Sequence, residues 1–324
     1  MGYDRQDLIS VIIPVYNMED WLSRCLDPLL QSDYRALEIL CIDDGSTDGS
    51  PSILRDYAQR DSRVRTIRTE NGGVAHARNV GLAHAAGRFC TFLDSDDRLH
   101  PQFFSVMTRL QRQYGADIVS AGFRELAEGD SASAIPVDPD SLSVSVFTGS
   151  DALRSDQIRV FVCCKLFRTD LVRDMRFNTA LHYGEDTDFI IECYRRHPDI
   201  VTVAAPCALY DYFYRDGSAT NSADYAGAIA LYEHFYQKIN DAADKKSMRW
   251  YMEELLRRSI AWIEVCDRNG ADKEGAAFRD LADRARRLDK RYRISPFRQA
   301  VLYHTLIRFP ALFRAYKKYT PGTE

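Results

Sequence analysis

The fold of this chain is decided by one stretch, Phe89-Cys90-Thr91-Phe92-Leu93-Asp94-Ser95-Asp96-Asp97. Its first five residues are mostly apolar, and a run of this kind predicts a buried strand. The three carboxylates that follow repel one another unless a cation or a hydrogen-bond network compensates their charge. Their hard oxygen ligands suit Mg²⁺ or Mn²⁺, which commonly arrive with a phosphate. A solvated turn with a helix cap is the alternative that this stretch leaves open.

Predicted strands and helices alternate around this stretch. Apolar and β-branched runs predict strands at residues 8–13, 38–42, 63–68 and 117–123. Helical patterns fall near residues 21–30, 52–59, 74–86 and 101–114, and Asn17 is expected to cap the first of these helices. The alternation predicts a doubly wound α/β fold with a mainly parallel sheet.

The pattern changes after residue 148. Strands are predicted at 161–168, 200–203 and 209–214, with a helix that begins after Tyr183-Gly184. Residues 128–145 are rich in Ser, Pro and Asp, and this composition predicts a surface loop or hairpin. From Tyr225 onward the pattern is helical.

The composition is that of an ordinary globular protein. The chain has 324 residues, of which 45% are hydrophobic and 28% charged. Its net charge of −4 gives no global attraction to nucleic acid, so no nucleic-acid partner is expected. The 8 cysteines form no C-x-x-C pair and are expected to be buried, reduced thiols. A polar N-terminus and the lack of a long apolar run favour a cytoplasmic location.

Three predicted strands end in polar groups. These ends are Pro14-Val15-Tyr16-Asn17, Asp43-Asp44 and Asp94-Ser95-Asp96. Ligands of an open parallel sheet bind beyond the carboxyl ends of its strands, so these groups are expected to meet at one site. Neither G-x-G-x-x-G nor a P-loop follows the first strand. A phosphate at this edge is therefore expected to be held by a metal ion and side chains.

Four motifs in order resemble those of family-2 glycosyltransferases with the GT-A fold. They are residues 10–17, 43–50, 71–79 and 93–97. The resemblance is close over residues 8–125, continues through residues 164–168 and 183–189, and fades after about residue 221. It implies an inverting, metal-dependent enzyme of the bacterial surface-polysaccharide type. It also implies a GT-A domain at 1–220, with a nucleotide-sugar-binding half (1–125) and an acceptor-side half (126–220), followed by a C-terminal helical region (221–324).

The resemblance assigns the nucleoside of a UDP-sugar to the first two strand ends. The residues concerned are Pro14, Val15, Tyr16, Asn17, Asp43 and Asp44. Uracil offers an N–H that a carboxylate can accept. Neighbouring residues on extended chain point opposite ways, so which of the two aspartates faces the base stays open.

The D-x-D pair is expected to hold the ribose and the metal-bound diphosphate. Asp94 and Asp96 project to the same side of an extended chain, with Ser95 between them. By the resemblance Asp94 contacts the ribose, and both carboxylates lie at a Mn²⁺ or Mg²⁺ ion whose main ligand is Asp96. Asp97 is expected to cap the following loop. Arg78 either lies near the diphosphate, braces the acidic loop, or forms a structural salt bridge.

The acceptor-side motif Tyr183-Gly184-Glu185-Asp186-Thr187-Asp188-Phe189 supplies the catalytic base in the resemblance. Asp186 would remove the proton from an acceptor hydroxyl. Glu185 would orient the acceptor or the helix, and Arg215 would meet the diphosphate. A capped first helical turn is the alternative for Glu185 and Asp186, because acidic residues are favoured there in any protein.

The segment 290–318 carries eight basic residues, no acidic residue and interleaved apolar side chains. Such a segment lies on an anionic membrane surface or packs on the protein with a solvated basic face. We favour peripheral contact with the inner face of the plasma membrane.

The sequence therefore predicts transfer of a sugar from a UDP-sugar to a hydroxyl of a glycan or lipid-linked acceptor in surface-polysaccharide synthesis. One alternative is a nucleotide-sugar-binding or glycan-scaffolding protein without catalysis. A sugar-phosphate nucleotidyltransferase is disfavoured, because no glycine-rich, lysine-bearing loop follows the first strand.

Overall fold

A computed structural model describes residues 8–127, 130, 135–155, 157–214 and 224–295. The chain divides into two compact units, Met1–Ser222 and Ala223–Glu324. The first unit contains a mixed sheet with helices, and the described part of the second unit is helical.

The first unit alternates strands and helices from its start. Its strands are β1 (Ile9–Val15), β2 (Leu37–Asp43), β3 (Val64–Arg68), β4 (Phe89–Phe92), β5 (Arg98–Leu99), β6 (Ile118–Ala127), β7 (Ser145–Thr148), β8 (Lys165–Arg168) and β9 (Val201–Tyr214). Its helices are α1 (Leu22–Leu30), α2 (Ser50–Arg60), α3 (Val74–His84), α4 (Phe103–Tyr114), α5 (Thr169–Val172) and α6 (Glu185–Arg196). The second unit contains α7 (Tyr225–Asp241), α8 (Arg249–Asn269) and α9 (Asp272–Tyr292).

The sheet is mainly parallel, with β8 inserted in the antiparallel direction and with β5 and β7 antiparallel to β9. Its order is β3-β2-β1-β4-β8-β6-β9-β5, and β7 pairs with β9 outside this path. The first four strands run parallel, and so do β6 and β9. Strand β8 is antiparallel to both β4 and β6. The strand of the stretch 89–97 therefore lies in the middle of the sheet, as the sequence predicts.

Strands β1, β2 and β4 are buried along their whole length. Helices cover both faces of a sheet of this type, which explains why these strands are continuous apolar runs without alternation. The core around β4 is aromatic. Phe92 lies edge-on against Phe167, Phe177 and Phe189, with ring centroids 5.3 to 6.3 Å apart.

Three local predictions are wrong. Asn17 does not cap a helix: it is left-handed at φ +53, and α1 begins only at Leu22. The strand predicted at 161–168 is confined to β8, because Cys164 is also left-handed (φ +61) and interrupts the extended chain. The strands predicted at 200–203 and 209–214 form one strand, β9, which continues through Pro206 at an irregularity in its pairing.

Residues 296–318 of the basic C-terminal segment lie outside the described residues. Within the described part of the chain, no helix has the length and apolar character needed to cross a membrane.

Helix α3 approaches β1 closely because Gly81 has no side chain. A Cβ atom at Gly81 would overlap Cγ2 of Ile12, which is fully buried in β1. Gly81→Ala should lower the free energy of unfolding by about 1–3 kcal/mol through overpacking, although alanine is the better helix former. Urea unfolding followed by circular dichroism measures the difference. Ala83→Ser, at an exposed position of the same helix, should change it by less than about 0.5 kcal/mol. A stabilised Gly81→Ala protein would contradict the close approach.

Candidate functional site

The three polar strand ends lie side by side in the structure. Val15 pairs with Asp43 in the register of β1 and β2, and the Asp44 N–H donates to the Val15 carbonyl at 2.9 Å. On the other side of β1, the Leu93 N–H donates to the Ile12 carbonyl at 3.0 Å. The strand ends predicted to form one site are therefore adjacent at one edge of the sheet.

The end of β1 is tied to the loop after β2. The Asn17 N–H donates to the Ser46 hydroxyl at 3.0 Å, and the Asn17 side-chain oxygen accepts from the Thr47 N–H at 2.8 Å. Pro14 and Val15 are buried within the strand, whereas the ring of Tyr16 is 45% exposed at the sheet edge. Of these residues, Tyr16 offers a ligand the largest accessible surface.

Asp43 and Asp44 are both buried and hydrogen-bonded within the protein. Asp43 accepts from the Ser46 N–H at 2.9 Å and pairs with the Arg68 guanidinium at 2.5 Å. Asp44 accepts from the N–H groups of Gly72 (3.1 Å) and Gly73 (2.7 Å) before α3. These bonds fix the loops around the predicted nucleoside site.

His76 also lies beside Asp44, with its Nδ1 3.3 Å from Asp44 Oδ1. His76 was not among the residues predicted for the site, although it lies within the motif 71–79. The available signal was its position in the first turn after Gly72-Gly73, the two residues whose N–H groups bind Asp44.

Asp94, the first acid of the D-x-D pair, is fixed at both carboxylate oxygens. Its Oδ1 accepts from the Arg78 guanidinium at 2.9 Å, and Cys163 Sγ lies 3.2 Å from its Oδ2. Burial raises the pKa of the Cys163 thiol well above its usual value, and the Asp94 charge adds to the shift. The thiol is therefore protonated and donates to Asp94.

Arg78 joins the two acidic segments of the site. It is 5% exposed, and it binds Glu185 Oε1 at 2.7 Å as well as Asp94. Arg78 lies on α3, Asp94 follows β4, and Glu185 begins α6. The contact brings the acceptor-side motif to the D-x-D pair, and it matches the sequence alternatives in which Arg78 braces the acidic loop or forms a salt bridge.

Asp97 differs from the expectation of a loop cap. Its carboxylate accepts from the Tyr210 hydroxyl at 2.6 Å and the Phe213 N–H at 2.9 Å, so it ties the site to β9. Burial raises its pKa to about 8, and the charges of Asp94 and Asp96 contribute further. The shift therefore reports mainly the burial of this carboxyl group, with a further contribution from the two neighbouring carboxylates.

Asp186 lies in the first turn of α6 and is partly buried. Its Oδ1 accepts from the Thr187 N–H at 2.8 Å. Desolvation by burial raises its pKa to about 7, the charge of Glu185 adds to the shift, and Arg78 opposes it. A carboxylate with a pKa near neutrality is suited to accept a proton at physiological pH.

Lys165 is a buried cation that the sequence did not assign to the site. It is 1% exposed, and its ammonium donates to the Phe161 carbonyl at 2.8 Å. Burial lowers its pKa, and the negative charge of the Asp186 carboxylate opposes this shift. Lys165 thus adds positive charge on the acceptor side of the site. The signal in the sequence was its position within residues 164–168, through which the family resemblance continues.

The acidic pair fits a divalent metal ion that also binds substrate phosphates. No group of three or more His, Cys, Asp or Glu in the described residues could hold an ion by protein ligands alone. Mg²⁺ is commonly bound by one or two carboxylates together with phosphate oxygens. Asp94 and Asp96 are both partly exposed, which leaves them accessible to an ion.

Arg215, the remaining residue predicted at the diphosphate, lies in 215–223, outside the described residues.

The structure thus combines a mainly parallel α/β sheet with acidic side chains at the carboxyl ends of its strands. The family model for glycosyl transferase family 2 matches residues 10–175, about half of the chain. The chain belongs to this family and is a glycosyltransferase.

Comparisons with individual proteins agree with the family. The glycosyltransferase GlyA of Streptococcus pneumoniae is 28% identical over 274 residues, which cover 82% of this chain but only 38% of GlyA. The fold is similar to that of TarS 1–349 of S. aureus in complex with UDP-GlcNAc (TM-score 0.70, 22% identity, 93% of this chain and 87% of that chain). It is also similar to the mannosyltransferase PcManGT of Pyrobaculum calidifontis in complex with GDP-Man and Mn²⁺ (TM-score 0.53, 18% identity, 97% and 81%). The predicted GT-A fold is confirmed.

Loss of the Arg78 guanidinium should leave two carboxylates uncompensated. We expect Arg78→Met to lower the free energy of unfolding by about 3–5 kcal/mol, as measured by urea unfolding. Arg109→Met is the matched control, because Arg109 and its partner Asp140 are 57% and 59% exposed. An exposed ion pair of this kind contributes about 0.2–1 kcal/mol. Equal losses in the two variants would show that Arg78 is not the electrostatic centre of the site.

Proposed function

We propose that this glycosyltransferase moves a sugar from a UDP-sugar to a hydroxyl group of a glycan or lipid-linked acceptor with inversion at the anomeric carbon. One observation carries the proposal: Arg78 binds both Asp94 and Glu185, and so joins the D-x-D pair to the segment that contains Asp186. A metal-binding pair and a base on opposite sides of one cleft are what a single displacement requires.

The proposed donor is a UDP-sugar bound at the ends of β1 and β2. The TarS complex with UDP-GlcNAc supports uridine, whereas the PcManGT complex contains GDP-Man. A carboxylate of Asp43 or Asp44 would accept from the uracil N–H, and Tyr16 would contact the nucleoside. Arg215 is proposed to meet the diphosphate.

The proposed cofactor is Mn²⁺ or Mg²⁺, held by Asp96 and Asp94. When bound, such an ion neutralises the charge that develops on the departing nucleoside diphosphate. The Mn²⁺ complex of PcManGT supports this assignment. Arg78 and Cys163 hold Asp94 in a fixed orientation, so the pair keeps its geometry before the donor binds.

Asp186 is proposed as the general base. Its carboxylate would take the proton of the acceptor hydroxyl while that oxygen attacks the anomeric carbon from the face opposite the leaving diphosphate. The C–O bond to the acceptor forms as the bond to the diphosphate oxygen breaks, and the configuration inverts. Glu185 keeps α6 in place through Arg78 and raises the pKa of Asp186.

We further propose that the acceptor belongs to cell-surface polysaccharide synthesis, and that residues 290–318 contact the inner face of the plasma membrane. The membrane contact is supported by the basic residues of that segment and the apolar side chains interleaved with them. A nucleotide-sugar-binding protein without catalysis is the alternative. A UDP-release assay with Mn²⁺ and a panel of UDP-sugars separates the two, because only an enzyme releases UDP by transfer or slow hydrolysis.

Asp186→Asn should lower the rate of sugar transfer by about 10²–10⁴-fold, because the amide cannot accept the proton. Initial rates of UDP release with acceptor, together with UDP affinity by calorimetry, measure the effect. The affinity for UDP should remain within about twofold of the wild type. Asp56→Asn, at an exposed position on α2, is the control and should match the wild type in both measurements. Normal turnover by the Asp186→Asn protein would remove Asp186 from the role of base.

The pH profile should report the ionisation of Asp186. Only the carboxylate form accepts a proton, so kcat/KM should rise with pH and level off above about 7. Glu185→Gln removes the neighbouring charge that raises this pKa, so its acid limb should shift to lower pH. Glu192→Gln, on the same helix and paired with Arg195 and Arg196, should leave the limb in place. An unshifted limb in the Glu185→Gln protein would show that another group controls the profile.

A further inference from the structure

A second concave surface lies on the acceptor side of the first unit, outside the residues assigned above. It is a cavity of about 530 Å³ between the middle of β6, the first half of β9 and the loop before β8. This volume falls within the usual range of small-molecule sites. Its lining residues are Ala121, Gly122, Phe123, Glu125, Gln157, Arg159, Ala204, Ala205, Pro206 and Ala208.

The cavity exists because the pairing of β6 with β9 is irregular. Ala121 pairs with Ala205, but the next residue, Gly122, pairs with Ala208. The two intervening residues of β9 therefore bulge out of the ladder, where Pro206 needs no hydrogen-bond partner for its nitrogen. A Cβ atom on Gly122 would lie 3.2 Å from the Cys207 carbonyl oxygen, so a side chain here would require the bulge to shift by a few tenths of an ångström.

The register of the sheet places this cavity level with the D-x-D pair. Cys90 of β4 and Ile118 of β6 both pair with Phe167 of β8. Asp94 and Gly122 each lie four residues further along these two strands, which point the same way. Two strand spacings separate them, or about 10 Å. The cavity thus opens beside the proposed transfer site, on the side away from the nucleoside-binding strands β1 and β2.

The chemistry of the lining matches an uncharged polyhydroxyl ligand. Phe123 forms an apolar wall and is supported by Phe161, whose ring centroid lies 5.5 Å away in an edge-on arrangement. Glu125 supplies acceptors, Arg159 supplies donors, and Gln157 supplies both. Glu125 and Arg159 are the charged residues among the described lining, and their charges cancel. Small residues form the floor, which leaves room for a ring.

We infer that this cavity binds a neutral sugar residue of the acceptor, next to the residue that carries the attacking hydroxyl. The inference rests on the proposed function, because it assigns the cavity to the acceptor of that reaction. The apolar wall would take the C–H face of the ring, and the polar groups at the rim would bind its hydroxyls. The loop before β8 would couple this subsite to the donor side, since it contains both Arg159 and the Cys163 that contacts Asp94.

Binding of simple sugars to the full-length protein tests the inference. The protein is titrated with methyl glycosides of neutral hexoses and N-acetylhexosamines in the presence of UDP and Mg²⁺. Methyl glucuronide is the charged comparison ligand, and binding is followed by saturation-transfer NMR. We expect at least one neutral glycoside to bind, and to bind more tightly than the glucuronide. Two substitutions should each weaken the affinity for that neutral glycoside at least tenfold. They are Arg159→Ala, which alters an exposed side chain, and Ala208→Leu, which fills the cavity. Arg109→Ala, at an exposed arginine on α4, should not weaken it.

UDP affinity measured by calorimetry on the same proteins separates the two proposals. An unchanged affinity for UDP in Arg159→Ala, together with loss of the glycoside, supports the subsite. Failure of the wild-type protein to bind any neutral glycoside, binding of the glucuronide alone, or wild-type binding by Arg159→Ala would overturn it. Failure to bind UDP would instead count against the proposed function.

Discussion

The site depends on the position of one buried guanidinium. Arg78 lies between Asp94 and Glu185 and is nearly inaccessible to solvent. The acidic groups gathered around it are Asp94, Asp96, Asp97, Glu185 and Asp186, and the buried cations are Arg78 and Lys165. Carboxylates therefore outnumber cations here. Burial is the main cause of the raised pKa values of Asp97 and Asp186, and the neighbouring carboxylates add to both shifts. The excess of carboxylates makes this edge attractive to a divalent cation, and burial brings the pKa of the proposed base, Asp186, to about 7.

Helix α3 is the element that holds this arrangement together. The two N–H groups just before it bind Asp44, its middle carries Arg78, and Gly81 lets it approach Ile12 of β1. The proposed nucleoside side and the proposed catalytic side of the site are thus fixed by one rigid element. A displacement of α3 would alter the loop around Asp44 and the ion pairs of Arg78 together. Close packing in the core is therefore a requirement for the chemistry as well as for stability.

The sequence predicted the parts of the fold that local patterns determine. Strands β1, β2 and β4 are fully buried apolar runs, and the polar groups that follow them meet as expected. Contacts between distant segments were not predictable in this way. Arg78 and Glu185 are 107 positions apart, and no local pattern indicates that they pair. Asn17 is a residue type that commonly caps helices. Its side chain instead accepts from the Thr47 N–H in another loop, and this tertiary contact replaces the cap.

The inserted antiparallel strand explains why the donor side was easier to predict than the acceptor side. The donor side is built from parallel strands whose ends fall at one edge by topology alone. Strand β8 enters between β4 and β6 from the opposite direction, so the residues before it, rather than those after it, reach that edge. Cys163 arrives at Asp94 in this way, and Arg159 arrives at the cavity beside β6. Cys164 has a left-handed backbone conformation, and the chain turns there from this loop into β8. This one conformation orients both Cys163 and Arg159. The loop 157–164 is consequently the segment through which a bound acceptor would influence the geometry of the D-x-D pair.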